Sequence, residues 1–318
     1  MQLAVLNPGG RDPVQHFPDG AGVRDDRVHA PVNYHAYAAC TRGSFHREVA
    51  AIPEEQRAVL LLLRRDLKPA LKALRELKAR GKVVAISWKE SGAHQVAEQL
   101  DSAENLARFR ELCAGADAAL SSTPELVALY ASSGARVAEF IPTPYPVDDA
   151  RWDFSAPLGE RSGIFIGTRE WSVPTRNHAS ALLHACSLGV PVTVFNTEAR
   201  AGRKKLDALG SPHLRLLEGR MPYTAYLHEM AKCRVVFQLD ASAVPGQVAG
   251  DALLCRMPCI GGNSAVEQLA FRGATMAALH DDAQWERTVA TSQAEAASTL
   301  SYAAVAARLG EFFGRLGG

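Results

Sequence analysis

Residues 234–262 read RVVFQLDASAVPGQVAGDALLCRMPCIGG. Val235-Val236-Phe237 is a short apolar strand, and a loop of small residues broken by Pro245-Gly246 follows it. Gly250-Asp251 leads into an apolar helical turn, Ala252 to Cys255. Pro258-Cys259-Ile260 is the next strand, and Gly261-Gly262 is a glycine turn. Strand, glycine loop, helix, strand and glycine turn is the order in which an α/β sheet builds a nucleotide pocket at strand C-terminal ends. An ordinary βαβ unit without a ligand has the same order, so this stretch alone leaves both readings open.

Outward from it, strands keep alternating with helices. Towards the C-terminus come a helix over 267–271, a strand over 274–278 and a largely helical tail over 282–316. Upstream in the same half, strands fall at 163–166, 190–195 and 214–217. Helices fall at 177–188, 204–209 and 222–232. In the first half, strands are expected at 1–6, 57–63, 83–88, 118–121 and 137–141. Leu71, Leu74 and Leu77 repeat at helical spacing between Lys and Arg, so 68–80 is an amphipathic helix that Gly81 ends. Further helices fall at 104–113 and 124–131. Such alternation argues a parallel, doubly wound sheet in each half. Residues 11–50 are polar and weakly patterned, a long loop with a helix around Tyr34 to Cys40. Pro142, Pro144 and Pro146 followed by Asp148-Asp149 mark a linker. The domains are therefore placed at 1–150 and 151–318, with the C-terminal helix expected to return toward the first domain.

Composition narrows the functional classes. The 318 residues are 47% hydrophobic, enough for two cores, and the net charge of +1 offers no field for nucleic acid or an anionic membrane. Six cysteines are scattered without CxxC pairs, which points to a reducing, cytoplasmic compartment. The N-terminus has no signal-peptide pattern, and no apolar run reaches the ~20 residues of a transmembrane helix. Asp25-Asp26, Asp148-Asp149 and Asp281-Asp282 are adjacent acidic pairs rather than a DxD motif, and His16, His29, His35 and His46 lack ligand spacing. No metal and no cofactor are expected. No GxGxxG follows either first strand, which disfavours a dinucleotide-dependent enzyme.

Two segments carry a family resemblance. Ala116 to Thr123, then Ile141-Pro142-Thr143 to Val147-Asp148, resembles the end of the N-terminal domain and the linker of retaining GT-B glycosyltransferases with the E-x7-E donor motif. Asp240 to Gly262 is similar to that family's donor segment: Gly246 falls on its inner glycine, Asp251 on its second glutamate, Cys255 to Pro258 on its closing turn. The chain departs where the first glutamate becomes Ala243 and the glycine before the proline becomes Met257.

The resemblance implies two Rossmann-like domains facing a cleft, the first for the acceptor and the second for the nucleotide-sugar donor. It implies a metal-independent, retaining hexosyltransferase-like enzyme whose partners are a nucleotide-diphosphate sugar and a glycan or small-molecule acceptor. Arg169, after the first strand of the second domain, and Arg176, before the next helix, stand where the family's basic pair meets the diphosphate. Asp251 is expected at a helix N-terminus, where holding ribose and serving as an N-cap are compatible roles. Gly246 and Gln247 are expected near the sugar or phosphate, and Gly219 and Arg220 near the base. His94 and Glu90 follow a first-domain strand and are the catalytic candidates, while Gly9 and Gly10 border the acceptor site. The alternatives are a GT-B module that binds nucleotide or sugar without catalysis, as Ala243 suggests, and a nucleotide-sugar epimerase.

Overall fold

The computed structural model describes residues 1–22, 29–167, 171, 173–219 and 221–317. The chain divides into two compact units, residues 1–148 with 299–318, and residues 149–298.

The first unit holds a seven-stranded sheet in the order β2-β3-β1-β4-β5-β6-β7. Its strands are β1 (Leu3–Leu6), β2 (Gln15–His16), β3 (Ser44–His46), β4 (Ala58–Leu63), β5 (Val83–Trp88), β6 (Ala118–Ser121) and β7 (Ala138–Phe140). All pairings are parallel except that of β2 with β3. Buried on both faces, β4 is a continuous apolar run, Ala-Val-Leu-Leu-Leu-Leu. One face is covered by α2 (Lys68–Ala79), α4 (Ala103–Gly115) and α5 (Val127–Ser132), with Leu74, Leu77, Phe109, Leu112 and Tyr130 in that core. The other face is covered by α1 (Tyr34–Cys40) and by the last helix of the chain, Tyr302–Leu316.

That last helix belongs to the first unit because Val305, Leu309, Phe312 and Phe313 form one apolar stripe and all four are buried in its core. The Tyr302 hydroxyl donates to the Pro31 carbonyl at 2.7 Å and Arg308 donates to the Phe140 carbonyl at 2.6 Å. The helical tail read from sequence is in fact two helices. The break lies at Leu300-Ser301, where the Ser301 hydroxyl accepts from the Ala304 N–H at 3.1 Å and caps the second helix.

The second unit is a five-stranded parallel sheet in the order β10-β9-β8-β11-β12. Its strands are β8 (Ile164–Ile166), β9 (Val192–Asn196), β10 (Leu214–Glu218), β11 (Val235–Phe237) and β12 (Cys259–Ile260). Strand order reverses at β8, the topology of a mononucleotide-binding sheet. The strand expected over 274–278 is a 3₁₀ turn, Met276–Leu279. Two alanines and no β-branched residue in that turn give a sheet nothing to pack. Two strands within 11–50, β2 and β3, were not legible, because each is two or three residues of mixed polarity.

Candidate functional site

In the second unit a cavity of about 810 Å³ opens at the C-terminal ends of β9 and β10. Phe195 and Asn196 end β9, and Glu218 and Gly219 end β10. Tyr223 begins α8 (Tyr223–Ala231), Gln247 begins α9 (Gln247–Leu254), and Arg200 and Arg203 come from α7 (Ala199–Asp207). Two helix N-termini thus border a site at strand C-terminal ends, where the helix dipole favours an anion.

Gly246 makes this arrangement possible. It is the N-cap of α9 with φ +100°, and a Cβ there would lie 2.2 Å from the Ser264 hydroxyl oxygen. The chain can neither turn nor pack at this point with any other residue. The turn it packs against is held by Glu267. Its carboxylate accepts from the Gly262 N–H at 3.0 Å, the Ser264 N–H at 2.9 Å and the Gln238 amide at 2.7 Å. Ser264 and Glu267 close a capping box on the next helix, Ala265–Ala270.

Asp251 is not the cap expected from sequence. Helix α9 starts at Gln247, four residues earlier, because the left-handed Gly246 permits it. Asp251 is therefore an interior residue of α9, fully buried, and its carboxylate accepts a hydrogen bond from the Tyr223 hydroxyl. Since Tyr223 also lines the cavity, the carboxylate and the cavity wall are joined through that hydroxyl.

Arg176 ends a 3₁₀ turn, Pro174–Arg176, and is ion-paired with Asp240. Both side chains are largely buried, at 15% and 5% exposure, so the pair is close to neutral as a unit. Asp240 also accepts from the Ser242 N–H at 2.8 Å, and the Ala243 N–H donates to the Asn263 side chain at 2.9 Å. Ala243 has φ +48°, so its position in the donor-like loop is fixed by these bonds in a left-handed turn. Arg169 and Arg220, both expected in the site, lie outside the described residues, as do Asp25 and Asp26.

The remaining sequence candidates are in the first unit. Glu90 is exposed, and His94 is half-buried as the second residue of α3 (Ala93–Gln99). The His94 Nδ1 is buried without a hydrogen-bond partner among the described residues. Gly9 is an exposed turn residue with φ +73°. Gly10 packs against Asn7, whose amide nitrogen a Cβ would meet at 2.2 Å. Beside them is a polar group that the sequence reading missed. Asn7 donates to Asp12, which also pairs with Lys89 at 3.3 Å. Burial pushes the Asp12 carboxyl up, and the charge and hydrogen bond of Lys89 outweigh it, holding the group below its usual range. Asn7 follows β1 and Lys89 follows β5, so this group spans the strand ends at the sheet's switch point.

Of the residues expected from sequence, Gly219 and Gln247 line one cavity, Gly246 sets the helix that presents Gln247, and Asp251 meets the cavity through Tyr223. The missed cavity residues include Phe195, Asn196, Arg203, Glu218 and Tyr223. Their only sequence signal was position: Phe195, Asn196, Glu218 and Tyr223 lie at a strand end or a helix start, and Arg203 lies inside α7 and had none. No group of three or more His, Cys, Asp or Glu side chains gathers as a metal-binding cluster among the described residues. No helix among them is long and apolar enough to cross a membrane.

No protein-family model and no curated protein sequence matches the chain. Solved structures do. A glycosyltransferase from Rickettsia africae matches with TM-score 0.58 at 9% identity, over 99% of this chain and 98% of that one. A UDP-forming alpha,alpha-trehalose-phosphate synthase from Burkholderia xenovorans matches with TM-score 0.57 at 13% identity, over 81% and 73%. A TarM mutant from S. aureus, in complex with UDP, alpha-GlcNAc-glycerol and fondaparinux, matches with TM-score 0.61 at 8% identity, over 88% and 58%. These likenesses establish the fold: the two Rossmann-like units are those of a GT-B protein.

Proposed function

We propose that the chain is a glycosyltransferase that moves a sugar from a nucleotide-diphosphate donor to a glycan or small-molecule acceptor. The observation that carries this reading is the second-unit cavity at the ends of β9 and β10, bordered by the N-termini of α8 and α9. Aromatic Phe195 and Tyr223 supply walls for a base, and the positive ends of the two helix dipoles suit a phosphate. Asp251 is fully buried, and we assign it to the ribose through Tyr223, whose hydroxyl it holds at the cavity wall. The structures named above support the reading, since one is a UDP-forming synthase and another holds UDP.

The reaction breaks the bond between the anomeric carbon and the diphosphate oxygen and forms one to an acceptor oxygen. Negative charge develops on the departing diphosphate and requires fixed cations or N–H donors. Arg169 and Arg176 are the side chains assigned to it, Arg176 once the diphosphate competes with Asp240 for its guanidinium. The acceptor proton passes to the departing phosphate oxygen, so retention needs no separate base. His94 and Glu90 are assigned to positioning the sugar from the first unit, and Gly9 and Gly10 to the acceptor side. The protein is placed in the cytoplasm, without a metal.

A second reading, a nucleotide-binding GT-B module without catalysis, is favoured by two observations. Ala243 offers no carboxylate where the donor motif has one, and Arg176 is already paired. Incubating the full chain with a panel of sugar nucleotides decides between them. Release of nucleoside diphosphate with a glycosylated product supports the enzyme. Binding without release supports the module, and release of a stereoisomeric sugar nucleotide supports an epimerase.

A further inference from the structure

The polar edge of the same cavity is asymmetric, and its asymmetry bears on the base. Glu218 and Arg203 stand side by side there, Arg203 Nη2 donating to Glu218 Oε2 at 2.6 Å. The Asn196 amide donates to the other oxygen, Oε1, at 3.3 Å. Both charged side chains remain accessible, 41% for Glu218 and 51% for Arg203. A carboxylate has about four lone-pair sites. The bonds described use one on each oxygen and leave one on each. Arg203 keeps further N–H donors beyond the one given to Glu218. Next to them Gly219 turns with φ +84°, and a Cβ there would meet nothing within 4 Å, so the main chain borders open space.

The site therefore presents two adjacent acceptors flanked by a cationic donor. Bases differ in what they return. Guanine offers two adjacent donors, N1–H and the 2-amino group, beside the O6 acceptor. Uracil offers a single N3–H between two carbonyl oxygens, one of which would face the second carboxylate oxygen. Adenine and cytosine place a ring acceptor beside their amino group. Only guanine pairs both carboxylate oxygens and the guanidinium at once, in charge-assisted bonds.

We infer that the cavity selects a guanine nucleotide, with Glu218 as the specificity-determining residue and Arg203 as its partner at O6. This rests on the proposal that the cavity is the donor site. The aromatic side chains Phe195 and Tyr223 flank the space in which a purine would stack.

Calorimetric titration of the full chain with GDP, IDP, ADP, UDP and CDP tests it. GDP should bind roughly tenfold or more tighter than UDP, ADP or CDP, the scale of one good bidentate pair. IDP lacks only the 2-amino group and should fall between. Glu218→Gln, with an unchanged melting temperature, should erase the preference of GDP over IDP. UDP or ADP binding as tightly as GDP would overturn the inference while leaving the donor-site proposal in place. Equal affinity for GDP and IDP in the unaltered chain overturns it without any variant. Binding of none of the five overturns both.

Discussion

The Tyr223 hydroxyl donates to the buried Asp251 carboxylate, tying the first residue of α8 to the interior of α9. This bond joins the two helices that frame the cavity, so it couples local stability to ligand binding. Tyr223→Phe should cost roughly 1.5–3 kcal/mol in urea unfolding, the scale of a hydrogen bond to a charged group. Asp251→Asn keeps an acceptor for Tyr223 and should cost less. It removes one carboxylate oxygen, so nucleotide affinity should fall, and the fall should vanish with a dideoxyribose nucleotide. An equal loss for ribose and dideoxyribose ligands would remove Asp251 from ribose binding.

Gly246 and Gly219 make a paired test of two kinds of glycine. Both have positive φ, but only Gly246 is enclosed, with Ser264 2.2 Å from a Cβ built there. Gly219→Ala should carry the left-handed penalty alone, about 1–2 kcal/mol. Gly246→Ala adds a collision with a capping box and should be clearly worse in melting temperature. Similar losses at the two sites would show that the Ser264 turn can yield.

Burial also shapes the response to acid. Desolvation lowers His35 in the first unit and His178 in the second to about 4. His35 is stacked on Phe45 at 3.8 Å, and its Nε2 bonds the Pro13 carbonyl at 3.0 Å. Unfolded histidine titrates near 6.5. The folded chain resists protonation, so the stability these residues permit is complete above pH 6.5 and is lost as pH falls toward 4. Each contributes on the order of 3 kcal/mol to that loss. His35→Phe keeps the stacked ring and removes the titration, so unfolding free energy should depend less steeply on pH between 6.5 and 4. An unchanged slope would contradict the burial argument.

The Arg176–Asp240 pair predicts a different outcome. Arg176→Ala leaves a buried carboxylate uncompensated and should cost roughly 3 kcal/mol or more. Asp240→Asn instead frees the guanidinium. If Arg176 meets the diphosphate, that variant should bind nucleoside diphosphate at least as tightly as the unaltered chain and with a steeper salt dependence. Weaker binding by Asp240→Asn would confine Arg176 to a structural role.

Legibility in the sequence followed the strength of local patterning. Strand β5 and helix α1 were bounded as observed, because a buried parallel strand is a continuous apolar run and Tyr34 to Cys40 is a compact apolar segment. The start of α9 was misplaced because its signal is a backbone conformation, the positive φ of Gly246, which a glycine permits without announcing. Arg176 read as a diphosphate-binding cation, and its pairing with Asp240 was not legible, since that partner lies sixty-four residues away and only the sheet brings them together. Glu218 and Arg203 were invisible for the same reason: one ends β10, the other sits on α7, and their shared edge exists only once β9 and β10 pair.

The most direct test of the donor-site account is calorimetry of the full chain with nucleoside diphosphates and their sugars, repeated on Asp251→Asn. The account predicts that at least one nucleoside diphosphate binds, that its sugar conjugate binds the same site competitively, and that Asp251→Asn weakens both by about tenfold, the scale of one lost charge-assisted hydrogen bond. Failure of every nucleotide to bind, or undiminished affinity in Asp251→Asn, would contradict it.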